Sequence, residues 1–158
     1  MLLLSRVRES RGRVAAVHAH RCAGDIGRLV GQQPDARGGD PNYDVFVISR
    51  NGNGLRRLTD WPGEDGWPTW SPDGHWIAFS STHGASTGRL LLYLMRSDGT
   101  DKHLLVRKVE GDFPVWSPDG NAIMFSGGDH DHLWVVRPNG TGLRELPLTD
   151  WLPDWHQP

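Results

Sequence analysis

The chain has 158 residues, a length that suits one domain, with 20 Gly, 11 Pro and a formal net charge of −2. Glu and Lys together number only six, so long helices are not expected, and the single cysteine, Cys22, excludes an internal disulfide framework. No apolar run approaches the roughly 20 residues that a membrane span needs. No aromatic residues are interleaved with the arginines of the first 40 residues, which argues against nucleic-acid binding.

The first 40 residues differ in composition from the rest. They contain seven Arg, four acidic residues and no Trp, Phe or Tyr. The apolar start, Met1–Leu4, is shorter than the core of about 7–15 residues that a secretory signal needs, so no signal peptide is predicted. We favour a disordered or loosely docked basic arm over residues 1–40. The alternative is that the segment GDIGRLVG (Gly24–Gly31) is a degraded turn and second strand.

A five-residue motif, Trp-Ser-Pro-Asp-Gly, occurs twice, 46 residues apart. Pro, Asp and Gly in this order are typical of a turn, because Pro fixes φ, Asp bonds nearby backbone and Gly accepts positive φ. Pro-x-Trp precedes each turn, and Ile-Ala-Phe-Ser or Ile-Met-Phe-Ser follows it. Each unit predicts four short antiparallel strands, which is the size of one β-propeller blade. The motif residues to which we assign this structural role are Trp70, Pro72, Asp73, Gly74, Trp116, Pro118, Asp119 and Gly120.

The repeats predict an all-β partial propeller over residues 41–158. Complete blades are expected at about 68–106 and 114–146, with two strands of another blade at about 43–59 and a first strand alone at 153–155. Because propellers need about four to eight blades, this chain cannot close a ring by itself. We therefore expect exposed blade edges and self-association. A fragment that stays open is favoured over a two-chain ring of six blades, two of which would lack their second strand.

The tryptophans divide into two groups. Trp70 and Trp116 recur at matched positions, which favours packing between blades over a sugar-stacking role. Trp61 and Trp151 each end a Leu-Thr-Asp-Trp sequence after a fourth strand. These two are candidates for an exposed contact surface.

No catalytic motif is present, since the chain contains neither Gly-x-Ser-x-Gly nor His-Glu-x-x-His. Asp73 and Asp119 are interpreted as turn caps rather than catalytic carboxylates. Within the sequence Asp-His-Asp-His at 129–132, His130 and His132 are candidate metal ligands. The polar tip of a hairpin is the favoured interpretation of this segment. We therefore predict no enzyme activity, no cofactor and no metal.

These repeats resemble the WD-like β-propeller repeat of the TolB family, over about 118 residues from Pro41 onward. The resemblance implies a non-catalytic, protein-binding propeller of the periplasmic Tol–Pal envelope system, with a peptidoglycan-associated lipoprotein as a partner. The chain departs from that family in having no recognisable N-terminal α/β domain. The same repeat occurs in propellers of prolyl-oligopeptidase-like peptidases, tricorn-type proteases and oligogalacturonate lyases. The alternative prediction is therefore a propeller fragment of such an enzyme.

Overall fold

The computed structural model describes residues 28–31, 43–49, 53–86, 88–127 and 132–147. Every regular element among these residues is a β-strand, and the strands form three antiparallel sheets. The strands are β1 (Arg28–Gly31), β2 (Val45–Ile48), β3 (Arg56–Arg57), β4 (Asp65–Trp70), β5 (Trp76–Ser81), β6 (Leu91–Arg96), β7 (His103–Val106), β8 (Asp112–Trp116), β9 (Ile123–Gly127), β10 (His132–Val136) and β11 (Arg144–Leu146).

The three sheets are blades of a partial propeller. Blade 1 has the order β1-β2-β3, blade 2 has β4-β5-β6-β7, and blade 3 has β8-β9-β10-β11. Within each blade, strands adjacent in sequence pair with each other. We call β4 and β8 the inner strands, because each is the first strand of its blade. Pro68 and Pro114 lie in these edge strands, where a missing N–H is tolerated.

Two predicted boundaries require correction. The arm over residues 1–40 was expected to lie outside the propeller, but Arg28–Gly31 forms β1 and pairs with β2 in register. The alternative interpretation of this segment, as a second strand, fits the structure. The other residues of the arm, and the first strand predicted at 153–155, lie outside the described residues. The inner strands also begin earlier than Pro68 and Pro114, at Asp65 and Asp112.

The core consists of two layers, one between each pair of neighbouring blades. Trp70 is 8% exposed and Trp116 is 7% exposed, as their repeated positions predict. Trp70 belongs to the layer between blades 1 and 2, with Val45 of blade 1 and, from blade 2, Ile77, Phe79, Tyr93 and Met95. Trp116 belongs to the layer between blades 2 and 3, with Ala78, Leu92 and Leu94 of blade 2 and Ile123, Phe125 and Val136 of blade 3. Alternate residues of β5 and β6 therefore lie on opposite faces of the blade 2 sheet, and each face contributes to one of the two layers.

The two Ser-Pro-Asp-Gly segments form equivalent turns. Gly74 N donates to Ser71 O and Gly120 N donates to Ser117 O, each at 2.9 Å. Both glycines have a φ of 72°, the left-handed region that side chains disfavour. These turns join each inner strand to the second strand of its blade.

Candidate binding surface

Two aromatic residues occupy matched positions in the inner strands. Trp67 precedes Pro68 in β4, and Phe113 precedes Pro114 in β8. Their φ values are 48° and 49°, a region that bulky L-residues rarely adopt. The pairing register shifts at both positions, which indicates a β-bulge in each inner strand. A β-bulge changes the direction in which a side chain points. In both blades the aromatic side chain at this position therefore departs from the regular alternation of side chains between the two faces of the strand.

The rings of Trp67 and Phe113 contact each other. Their centroids lie 5.2 Å apart with an interplanar angle of 73°, an edge-to-face arrangement. The carboxylate of Asp112 accepts a hydrogen bond from Phe113 N at 2.8 Å, which helps to hold the unusual backbone. Both side chains are only half-buried. This inner aromatic pair therefore presents apolar surface along the inner strands.

A buried acidic network lies between blades 1 and 2. Asp44 forms an ion pair with Arg57 at 2.7 Å and accepts a hydrogen bond from Thr59. Asp65 accepts a hydrogen bond from the Ser81 hydroxyl. Asp44 and Asp65 are 5% and 1% exposed, so neither carboxylate is open to a ligand in solution.

Burial dominates the protonation of these carboxylates. It raises the pKa of Asp65 to about 6, although hydrogen bonds from Ser81 and Thr59 act in the opposite direction. Burial also raises the pKa of Asp44, against the lowering effect of Arg57. Asp65 Oδ2 has no hydrogen-bond partner. The network lies in the interior and joins residues of two blades.

Trp61, one predicted contact residue, lies at the margin of this same interface. Its ring stacks on His83, with centroids 4.0 Å apart, and lies edge-on to Tyr93 at 5.2 Å. The Tyr93 hydroxyl donates to His83 O at 2.7 Å, and this hydrogen bond helps to hold His83 against the Trp61 ring. Trp61 is half-buried, so part of its surface still faces outward. The other predicted contact residue, Trp151, lies outside the described residues.

The structure describes one of the two candidate metal ligands, His132. His130 lies outside the described residues. His132 begins β10, is exposed, and its Nδ1 lies 2.6 Å from Glu145 Oε1. Within the described ranges, no group of three or more His, Cys, Asp or Glu side chains is arranged to hold a metal ion.

The repeated turn aspartates bond to their own turns. Asp73 Oδ1 accepts from the Ser71 hydroxyl and from His75 N, and these bonds lower its pKa. Asp119 accepts from the Ser117 hydroxyl, and Asn121 donates to it through both backbone and side chain. These bonds hold the pKa of Asp119 at about 2. The contacts match the turn-cap role assigned to both residues from sequence.

Sequence reasoning overlooked the inner aromatic pair and the buried aspartates. The signal was present, since Trp67 and Phe113 each precede the repeated Pro, and Asp65 and Asp112 each begin an inner strand. The motif Pro-x-Trp-Ser-Pro-Asp-Gly that defines the repeat begins at the Pro, so it leaves these positions out. A repeat boundary set three residues earlier would have included these positions.

The fold is that of TolB-like and related propellers. A TolB-type structure from Agrobacterium tumefaciens superposes with a TM-score of 0.61 at 24% identity, covering 74% of this chain and 44% of that one. TolB of Acinetobacter baumannii gives 0.59 at 21% identity, covering 78% and 31%. An oligogalacturonate lyase in complex with manganese gives 0.52 at 16% identity, covering 63% and 28%. At these identities the likeness shows the fold alone.

Sequence relatives are local matches. An uncharacterized protein of Agrobacterium fabrum is 32% identical over 74 residues, which is 47% of this chain and 24% of that protein. The Tol-Pal system protein TolB of Nitratidesulfovibrio vulgaris is 43% identical over 42 residues, 27% of this chain and 10% of that protein. No family model matches. The chain spans a quarter or less of these curated relatives. Of the residues described, none forms a helix long and apolar enough to cross a membrane.

Proposed function

We propose that this chain is a non-catalytic propeller scaffold that binds a protein partner through the inner aromatic pair, Trp67 and Phe113. The pair carries the proposal because two half-buried aromatic rings keep a left-handed backbone at matched positions of two blades. A strained backbone at a bulky residue points to function when the surrounding structure maintains it. Aromatic side chains are also the residues that contribute most at protein interfaces.

The class of partner follows from the TolB-like repeat. A local identity of 43% to a protein named for the Tol-Pal system supports an envelope protein, and in particular a peptidoglycan-associated lipoprotein, as the partner. The same likeness supports a periplasmic location. Trp61, and Trp151 by its matching sequence, would extend the contact surface at the blade margins.

The enzyme alternative has weaker support. The lyase and tricorn protease structures share only the fold with this chain, at 16% and 19% identity. The two buried carboxylates, Asp44 and Asp65, are inaccessible to a substrate. No observation on the described residues favours a reaction over binding.

The test is Trp67→Gly, with binding and folding measured separately. Glycine adopts positive φ without strain, so the variant should unfold at the same or a higher urea concentration than the parent. Its affinity for a purified peptidoglycan-associated lipoprotein lacking its lipid should fall at least tenfold, about 1.4 kcal/mol. Isothermal titration calorimetry gives the affinity.

Trp76→Ala is the matched control. Trp76 is another half-buried tryptophan, but it lies at the start of β5 beneath Arg96, whose guanidinium is 4.4 Å from the ring centroid. This variant should bind with the parental affinity. Parental affinity in Trp67→Gly would refute the assigned surface, and no binding by the parent would refute this partner.

A further inference from the structure

Blades 1 and 2 are joined by the same backbone contact as blades 2 and 3. Asp65 N, at the start of β4, donates to Tyr43 O of blade 1 at 2.7 Å. Gly111 N, just before β8, donates to Leu90 O of blade 2 at 2.9 Å. Asp65 and Gly111 each lie three residues before the repeated Pro of their inner strand, so the two hydrogen bonds are equivalent. The two contacts can therefore be compared position by position.

The side chains beside these equivalent bonds differ. Asp65 lies opposite Ser81 in the strand pairing, whereas the matched residues of blade 3 are Gly111 and Gly127. Gly111 packs so tightly that an added Cβ would lie 2.5 Å from the Leu92 side chain. A carboxylate and a hydroxyl thus occupy, between blades 1 and 2, the positions that two glycines occupy between blades 2 and 3.

Two carboxylates share one cation at the contact between blades 1 and 2. Arg57 pairs with Asp44 at 2.7 Å. Asp65 Oδ1 accepts from the Ser81 hydroxyl, but among the described residues Asp65 Oδ2 has no hydrogen-bond partner. Asp65 is 1% exposed, so its ionised form would be shielded from water and would compete with Asp44 for Arg57. A buried charge without full compensation is costly.

Other ionisable groups lie around Asp65. Burial has the largest effect on the pKa of Asp65 and raises it; hydrogen bonds lower it, the charge of Asp44 raises it and the charge of Arg57 lowers it. Burial also raises the pKa of Tyr93 above 10, so its hydroxyl stays neutral at ordinary pH. The groups that the structure places around Asp65 are Asp44 before β2, Arg57 of β3, Glu64 beside it in the chain, His83 after β5, whose N donates to Ser81 Oγ, and Tyr93 of β6.

Ionisation of Asp65 favours any state in which its carboxylate reaches water. The pKa of Asp65 is about 6 between the blades, against an ordinary value of 3.8. Between these values the closed contact holds a proton that an open contact would release, so a rise in pH shifts the equilibrium towards the open contact.

We propose that the contact between blades 1 and 2 is a pH-sensitive element of the fold, closed when Asp65 is protonated and opening locally more often when Asp65 is ionised. The equivalent contact between blades 2 and 3, with two glycines at the matched positions, does not have this response. Blade 1 is therefore held more firmly on blade 2 in mildly acidic solution than at neutral pH.

Amide hydrogen exchange followed by NMR tests the proposal on the parent chain. The protection factor is used because it already corrects for the effect of pH on the exchange chemistry. For the Asp65 amide it should fall about tenfold between pH 5 and pH 7.5, as the two pKa values imply. At pH 7.5 it should be well below that of the Gly111 amide and should not change in low urea, because a local opening exposes little surface.

Asp65→Asn is the first control, because the amide has nearly the same shape as the protonated carboxyl and cannot ionise. The protection factor at residue 65 should then be the same at both pH values. A tenfold fall that persists in this variant would overturn the proposal. Equal protection factors and equal urea dependence at Asp65 and Gly111 in the parent would also overturn it, since the contact would then open only by global unfolding.

Two further variants identify the titrating group. Asp44→Asn should move the fall in protection to lower pH, because the charge of Asp44 raises the pKa of Asp65. His83→Gln should leave the fall in place. An unshifted fall in Asp44→Asn, or its loss in His83→Gln, would contradict the assignment to Asp65.

Discussion

Replacing Trp116 by Ala tests the packing between blades 2 and 3. The indole is 7% exposed and lies in one layer with Ala78, Leu92 and Leu94, and its Nε1 donates to Thr69 O across the interface. Removing it eliminates apolar burial, leaves a cavity and removes one hydrogen bond. All three changes lower the free energy of unfolding.

The size of the loss follows from the buried area. A buried Trp removes about 150–250 Å² from water, which at about 25 cal/mol/Å² corresponds to about 4–6 kcal/mol. Ala retains part of that burial, and measured aromatic-to-Ala changes cluster at about 3–5 kcal/mol. We therefore expect a loss of about 4 kcal/mol, a large part of the stability of a typical domain.

Urea unfolding followed by circular dichroism measures the loss. With a slope of about 2 kcal/mol/M, the midpoint should fall by about 2 M. Trp116→Phe keeps an aromatic ring but loses the N–H. Its urea midpoint should fall by much less, about 0.5 M, as the loss of one hydrogen bond implies. An unchanged midpoint for Trp116→Ala would refute the assignment of this residue to the core.

Three further outcomes follow from single sites. Because the pKa of Asp65 is raised to about 6, its contribution to stability is present below pH 3.8 and is lost as pH rises through 6, so Asp65→Asn should flatten the decline in urea midpoint between about pH 4 and pH 7. Gly111→Ala should lower the melting temperature, because the new Cβ would lie 2.6 Å from the backbone nitrogen of Leu92. In the control Gly66→Ala the new Cβ has no atom within 4 Å, so the melting temperature should stay near that of the parent. Limited trypsin digestion should cut at Arg21 and spare Arg28, which lies in β1.

The blades could be predicted from sequence because their turns contain residues with strong turn preferences. Ser-Pro-Asp-Gly at Ser71 and Ser117 leaves the backbone few other conformations, and the alternating apolar residues that follow define two faces of a sheet. Where both signals are present, the segments Ile-Ala-Phe-Ser and Ile-Met-Phe-Ser that follow the turns lie within β5 and β9.

The rest escaped prediction for identifiable reasons. Arg28–Gly31 has no turn motif and no aromatic residue, so its pairing with β2 depends on tertiary contacts that local sequence does not encode. The positive φ of Trp67 and Phe113 could not be predicted, because neither residue type favours that conformation. The burial of Asp65 was hidden as well, since an aspartate next to a glycine is more often a surface turn.

The inner strands contain an energetic imbalance that bears on the proposed binding function. Each left-handed aromatic costs about 1–3 kcal/mol in backbone strain, and the edge-to-face contact of Trp67 with Phe113 returns only about 0.5–1.5 kcal/mol. Glycine at either position would relieve the strain. The contacts between the two rings therefore do not account for their presence, and a compensating contact beyond the described residues is expected. A bound protein partner would provide one.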